Sequence, residues 1–188
     1  MFQTLTKKFG SKTPAVWSNY AHFLHVTIAA PERARELLPR AMQALDKHHH
    51  NPLITKFAAL EFHSPNGDAE RGRTIFEGVL STYPKKFDLW NQLLDLEIGA
   101  TAAAAASGSS SGAEASEAAS AVRDVFERGA KVKGLKPRQA EKWFRRWSEW
   151  EGAIDPKGRE RVMARAQEWA AKRKAAAAEV EAETGDGE

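Results

Sequence analysis

Three groups of side chains in this sequence have types that could do chemistry. The first is histidine. His48, His49 and His50 are consecutive, and His22 and His25 stand three apart. Consecutive residues on a helix point about 100° apart, so a His run cannot close around one ion without a second set of ligands. None lies nearby in sequence, so the run reads as polar residues closing a helix. His22 and His25 share a face but have no carboxylate at ligand spacing on their own helix, and read as groove or surface residues. The second group is a carboxylate series, Glu61, Glu97 and Glu151, a residue type suited to general acid–base work. These glutamates recur with a structural period, which a catalytic group would not need. Arg35, Arg73 and Arg123 recur in the same way, and pairing is the inexpensive way to hold such charges at a packed face. The third group is the stretch 137–151, in which Arg145 and Arg146 are interleaved with Trp143, Phe144, Trp147 and Trp150. Alternating rings and guanidinium groups could stack bases. The alternative is that Phe144, Trp147 and Trp150 are packing residues, which leaves Trp143 as a spare ring and Arg138, Lys142, Arg145 and Arg146 facing outward.

Other chemistries lack residues to carry them. There is no Gly-rich phosphate loop after a strand and no Ser in a nucleophile elbow. With no Cys in the chain, disulfides, thiol catalysis and Cys-ligated zinc are excluded together. The sequence therefore predicts no enzyme, no cofactor and no small-molecule substrate. No run approaches the ~18 apolar residues of a membrane span, so no membrane partner is expected.

The elements that position these groups repeat. In 67–90, Ile75, Phe76, Val79, Leu80 and Tyr83 recur at helical steps behind Asp68, a good N-cap, and Pro84 stops the helix. Leu89 and Trp90 then open a new apolar face, so the two helices must fold back on each other. First helices align as Trp17/Tyr20/Phe23, Ile54/Phe57/Leu60, Trp90/Leu93/Leu96 and Phe144/Trp147/Trp150. Second helices align around Leu37/Leu38, Ile75/Phe76, Val125/Phe126 and Val162/Met163. The spacing between first helices is 37, 36 and then 54 residues. Two near-equal periods and one expanded period describe a helical repeat with an insertion in its third unit. Pro14, Pro31, Pro52, Pro137 and Pro156 fall at the expected helix starts, whereas Pro39 predicts a kink inside its helix. Trp17, Tyr20, Phe57, Phe76, Trp90, Phe126, Phe144, Trp147 and Trp150 form the predicted repeat core. Met1–Phe9 reads as the closing helix of a repeat whose first helix is missing, so the chain is expected to be the end of something longer.

The fold expected is all-α, an α-α superhelix of the TPR-like solenoid kind. It comprises about four helix pairs behind an N-terminal closing helix. The solenoid should span 1–174, with a flexible Ala/Ser/Gly insertion at about 99–114 and a frayed acidic tail over 175–188. Net charge is only +3, yet 123–174 holds 16 basic and 8 acidic residues, while 1–122 holds 12 of each. A basic C-terminal face suits RNA or an acidic partner.

The W-x2-Y/F-x2-F/L-(E) first helices and R-x-[IV]-F-E-[RG] second helices resemble the half-a-TPR (HAT) repeat over nearly all of 13–170. The stretches ARELLPRAMQAL, TIFEGVLSTYPKKFDLW and VRDVFERGAKVKGLKPRQAEKWFRRWSEWE resemble, more specifically, the C-terminal end of the large eukaryotic rRNA-biogenesis proteins. That family carries tandem OB-fold RNA-binding domains ahead of HAT repeats. The resemblance implies a protein-interaction scaffold in pre-rRNA processing and ribosome assembly. It points to the nucleus and nucleolus, to the small-subunit processome and to 18S rRNA maturation. Implied partners are assembly proteins of the pre-ribosome, with pre-rRNA a direct contact if the basic face binds it. The OB-fold domains are absent here, so the family's RNA affinity does not transfer by resemblance alone. The other readings are a directly RNA-binding solenoid and a generic TPR-like peptide groove.

Overall fold

In the computed structural model, which describes residues 1–106 and 112–185, the chain is all-α: among the described residues there is no strand. The helices are α1 (Phe2–Phe9), α2 (Pro14–His22), α3 (Pro31–Arg35), α4 (Leu37–Ala44), α5 (His50–His63), α6 (Ala69–Thr82), α7 (Phe87–Ala106), α8 (Gly112–Ala130), α9 (Pro137–Ile154) and α10 (Pro156–Gly185). They pack in sequence-neighbouring pairs, α5 with α6 and α9 with α10 most extensively, in the manner of an α-solenoid. Two compact units result, Met1–Val125 and Phe126–Glu188, and their division falls inside α8.

In the first unit, α2, α5 and α7 form a row of first helices, α5 touching both of the others. Trp17, Tyr20, Ala21, Leu24, Ala34, Leu37, Ala41, Leu45, Leu53 and Phe57 make one buried cluster. Phe2 of α1 stacks on Tyr20 with centroids 5.1 Å apart. Phe9, the last residue of α1, is exposed. Asp68 caps α6 as its sequence predicts, accepting from the Arg71 N–H at 3.2 Å. Pro14, Pro31, Pro137 and Pro156 each open a helix, while Pro52 is the third residue of α5. Close packing of α5 on α6 depends on Gly72, where a Cβ would stand 2.8 Å from the Phe62 ring.

The break predicted at Pro39 falls within the turn before it, at Glu36 between α3 and α4, where the Pro39 ring and missing N–H deny the Arg35 carbonyl its helical partner. Other local features depart from the sequence reading, with simple causes. The α2 helix runs on into a π turn over Phe23–Thr27, so the repeat phase slips by about a residue at its end. The expected loop at 99–114 is largely helical: α7 continues to Ala106 and α8 begins at Gly112. Alanine is the best helix former, so a poly-Ala run extends a helix already started. Residues 107–111 of that predicted loop lie outside the described residues. The C-terminal stretch from 175 likewise continues α10 as helix to Gly185.

Candidate functional site

Two of the recurring glutamates, Glu61 and Glu97, pair with two of the recurring arginines, Arg35 and Arg73, as their period predicts. Glu61 of α5 receives Arg35 of α3 in a two-pronged bond, Nε to Oε1 and Nη2 to Oε2, both 2.8 Å. Glu97 of α7 receives Arg73 of α6 in the same way, at 2.7 and 2.8 Å. Each arginine also reaches a glutamate three residues earlier in its own helix, Glu32 or Glu70. The planar fork of Arg matches a carboxylate at both oxygens, so each bond fixes orientation as well as charge. Each clamp joins the second helix of one pair to the first helix of the next. The hydrogen bond that Arg35 donates to Glu61 raises its pKa above the ordinary value, and the one from Arg73 to Glu97 does the same for Arg73. Burial pushes the Glu61 carboxyl up, but the Arg35 bond and the Asp68 N–H, 3.0 Å away, outweigh it and hold the group below its usual range.

His25 borders the first clamp. It is 2% exposed, its Nε2 lies 3.8 Å from Glu61 Oε1, and its Nδ1 finds no hydrogen-bond partner among the described residues. Burial lowers its pKa, opposed by Glu61 and helped by Arg35 and His22. Reading His25 as groove or surface is therefore corrected, because the π turn rotates it inward. His48 and His49 form a 3-10 turn, and His50 Nε2 donates to the Leu45 carbonyl at 2.9 Å. Among the described residues no three His, Asp or Glu converge to hold a metal ion, and no helix is long and apolar enough to cross a membrane.

The stretch predicted to contact a partner is α9. At its start the Gln139 side chain reaches back to accept from the Lys136 backbone N–H at 3.1 Å, and Pro137 takes the first position. Its inward face is Ala140, Trp143, Phe144, Trp147, Ser148 and Glu151. Trp143 is thus not a spare ring. At 1% exposure it is the largest fully buried side chain, and its Nε1 donates to the Phe126 carbonyl at 2.9 Å. Its ring meets Phe126 edge-on at 5.3 Å and lies so close to Gly129 that a Cβ there would stand 2.3 Å from it. Trp143 leaves the contact set. Trp150, placed in the core by its spacing, is only half-buried. The other predicted core residues (Trp17, Tyr20, Phe57, Phe76, Trp90, Phe126, Phe144 and Trp147) are buried. Counting back eight residues from Glu61, Glu97 and Glu151 reaches Leu53, Leu89 and Trp143, all buried. That signal would have placed Trp143 correctly.

Of the predicted contacts, Arg138, Lys142 and Arg145 are exposed, and Arg146 is half-buried. The exposed three follow steps of four and three residues along one edge of α9. Beside them a groove of about 520 Å³ opens between α9 and α10. Phe144 and Trp169, 6.2 Å apart, wall it together with Ala140, Met163 and Ala166.

Helices packed in neighbouring pairs, two of the contacts between pairs being forked ion pairs, define a helical-repeat protein of the α-solenoid kind. Over most of its length, the chain is homologous to a segment of the RRP5 rRNA biogenesis proteins. It is 41% identical over 168 residues to rRNA biogenesis protein rrp5 of Schizosaccharomyces pombe, which is 89% of this chain and 9% of that protein. It is 32% identical over 151 residues to the human protein RRP5 homolog, 80% of this chain and 7% of that one. With RRP5 of Arabidopsis thaliana it shares 34% over 140 residues, 74% of this chain and 6% of that protein. The chain thus spans less than a tenth of the length of these relatives. No protein-family model matches it.

Proposed function

We propose that this chain is a protein-docking scaffold of a ribosome biogenesis factor. In this reading it works in pre-rRNA processing within the nucleolus, among small-subunit assembly proteins, and its helix pairs are of the HAT kind. The observation that carries it is the similarity to rRNA biogenesis proteins over most of the chain. The architecture supports a scaffold, because stacked helix pairs offer extended surfaces that suit large partners. The clamps Arg35–Glu61 and Arg73–Glu97 support a packing role for these two glutamates. Arg138, Lys142 and Arg145 are the contact residues, and Arg146 belongs to the half-buried flank of the same helix.

Direct RNA binding is the second reading, favoured by the exposed basic edge and opposed by the burial of Trp143, Phe144 and Trp147, whose ring faces are not offered for stacking. The test reverses Arg138, Lys142 and Arg145 to Glu together. The fold should survive, since all three are exposed, while recruitment to pre-ribosomal particles and 18S rRNA output fall. Unchanged recruitment by the folded variant overturns the role of this edge. Loss of binding to naked pre-rRNA fragments, with a steep dependence on salt, would favour the second reading instead.

A further inference from the structure

The groove between α9 and α10 has a shape that packing alone does not require. Trp169 and Phe144 meet across the seam with their ring centroids 6.2 Å apart. Towards the start of α9 the lining residues are small or short: Pro137 and Ala140 on α9, Ala166 and Ala170 on α10. Small residues across this seam leave a trough of about 520 Å³, within the range of ligand-sized sites. Met163, which also lines it, is 53% exposed, an unusual place for a large apolar side chain. Lining residues on α9 run from Pro137 to Ser148, about 16 Å at the helical rise, or roughly three helical turns.

The charges around this trough are unequal. Arg145 and Arg159 line it against a single carboxylate, Glu141. Arg138 and Lys142, each next in sequence to a lining residue, continue the basic edge on α9. The floor is apolar and the border is cationic, and the one half-exposed ring, Trp169, already packs against Phe144 and beneath the Arg173 guanidinium. This favours an apolar side-chain face bordered by carboxylates over a run of bases, which would need free rings to stack on.

We propose that this groove takes an acidic amphipathic helix of a partner protein, about three turns long. Its apolar stripe would lie against Phe144, Met163 and Trp169, and its carboxylates against Arg138, Lys142, Arg145 and Arg159. This rests on the scaffold reading and names the chemistry of one partner. An apolar face supplies affinity through buried area, and the basic border sets orientation and speeds encounter.

The test uses the full chain and a fluorescent, covalently stapled helical peptide of about 14 residues, with Leu at helical spacing on one face and Glu on the other. Saturable binding near about 10 μM is expected, weakened at least tenfold by Met163→Glu and by the triple reversal of Arg138, Lys142 and Arg145. The same peptide with Lys in place of Glu should not bind. Absence of saturable binding up to about 1 mM overturns the proposal. So does competition by a single-stranded RNA oligonucleotide, or self-association of the chain that Met163→Glu abolishes, since each names another occupant. The two readings fail differently. If Met163→Glu is recruited normally to pre-ribosomal particles while the charge-reversed chain is not, the groove fails and the scaffold stands. Normal recruitment of both overturns the scaffold role of this face.

Discussion

The two units use one helix pattern, and different contacts stand out in each. In the first, a carboxylate on each of two first helices grips the arginine of the preceding pair, Glu61 to Arg35 and Glu97 to Arg73. In the second, the equivalent Glu151 faces Arg161 Nη2 of the next helix at 3.9 Å, and a Cβ on Gly158 would come within 2.4 Å of its side chain. The space between helices there is filled by rings. Phe126 stacks on Trp147 at 5.4 Å and meets Trp143 at 5.3 Å, and Phe144 reaches both Trp147 and Trp169. The energetics differ accordingly. A buried aromatic ring removes about 150–250 Å² from water, worth several kcal/mol at about 25 cal/mol per Å². A buried ion pair gives back much of its attraction as desolvation, so its net contribution is small, although breaking one side of it is costly. The rings therefore supply stability, and the forked pairs fix which helix meets which.

The largest effect should come from the rings. Trp143→Ala should cost about 3–5 kcal/mol as a large-to-small core change that also leaves the Phe126 carbonyl without its donor. Chemical denaturation measures this. A cost under about 0.5 kcal/mol, typical of an exposed position, would return Trp143 to the surface. Gly129→Ala should cost about 1–3 kcal/mol, because the Trp143 ring must move to admit the new Cβ.

Breaking one clamp comes next. Glu61→Leu leaves the Arg35 guanidinium without its main partner and should cost about 3 kcal/mol. Adding Arg35→Met should recover most of that loss, because the two charges no longer need each other. If the double variant stays as unstable as the single one, the clamp contributes net stability and the contrast between the units collapses.

How much of this contrast the sequence foretold depended on residue type. Charged residues recurring at a fixed period, Glu61 and Glu97 with Arg35 and Arg73, pointed to their own pairing, because few other arrangements keep four such groups at a packed face. The helix starts were legible through Asp68 and the prolines. The register of α9 was not, since bulky Phe144, Trp147 and Trp150 drew the alignment one residue too far along. Ala140 and Ser148, which mark the inward face equally well, are too small to announce it. The same slip selected half-buried Ile54 over buried Leu53. The π turn over Phe23–Thr27, which carries buried His25, had no local signature in residue type. The groove beside Met163 arises from residues on two helices, and no single stretch encodes it.

The clamped unit should also respond to pH. The His25 pKa is lowered from 6.5, chiefly by burial, so the folded state resists protonation that the unfolded chain accepts. The unfolded state then binds more protons between the lowered value and 6.5, and stability declines as pH falls through that window. Glu61, held below 4.5 mainly by Arg35 against the cost of burial, contributes stability above 4.5 that is lost as pH falls further. Thermal melts from about pH 7.5 to about pH 5.5 should show a decline, smaller than the clamp break, that His25→Leu removes. A decline unchanged in that variant would assign it to other groups.

The smallest effect concerns the end of the π turn. Ala29 has φ of 55°, the one non-glycine residue among those described with positive φ. The chain there closes like a helix C-terminus, with the Ala30 N–H donating to the Leu24 carbonyl at 2.8 Å and the Ile28 N–H to Phe23 at 3.1 Å. A left-handed residue suits this reversal, but an L side chain pays roughly 1–2 kcal/mol to adopt it. Glycine removes that strain while adding freedom to the unfolded chain, a cost of about 0.4–1 kcal/mol. Ala29→Gly should therefore stabilise the first unit by about 0.5 kcal/mol. Ala30→Gly, one residue on at φ of −119°, relieves no strain and should lose about 0.5–1 kcal/mol. Opposite signs at adjacent positions separate backbone strain from a general effect of glycine. If both substitutions destabilise equally, Ala29 is held without strain, and the π turn owes its shape to the His25 and Leu24 packing alone.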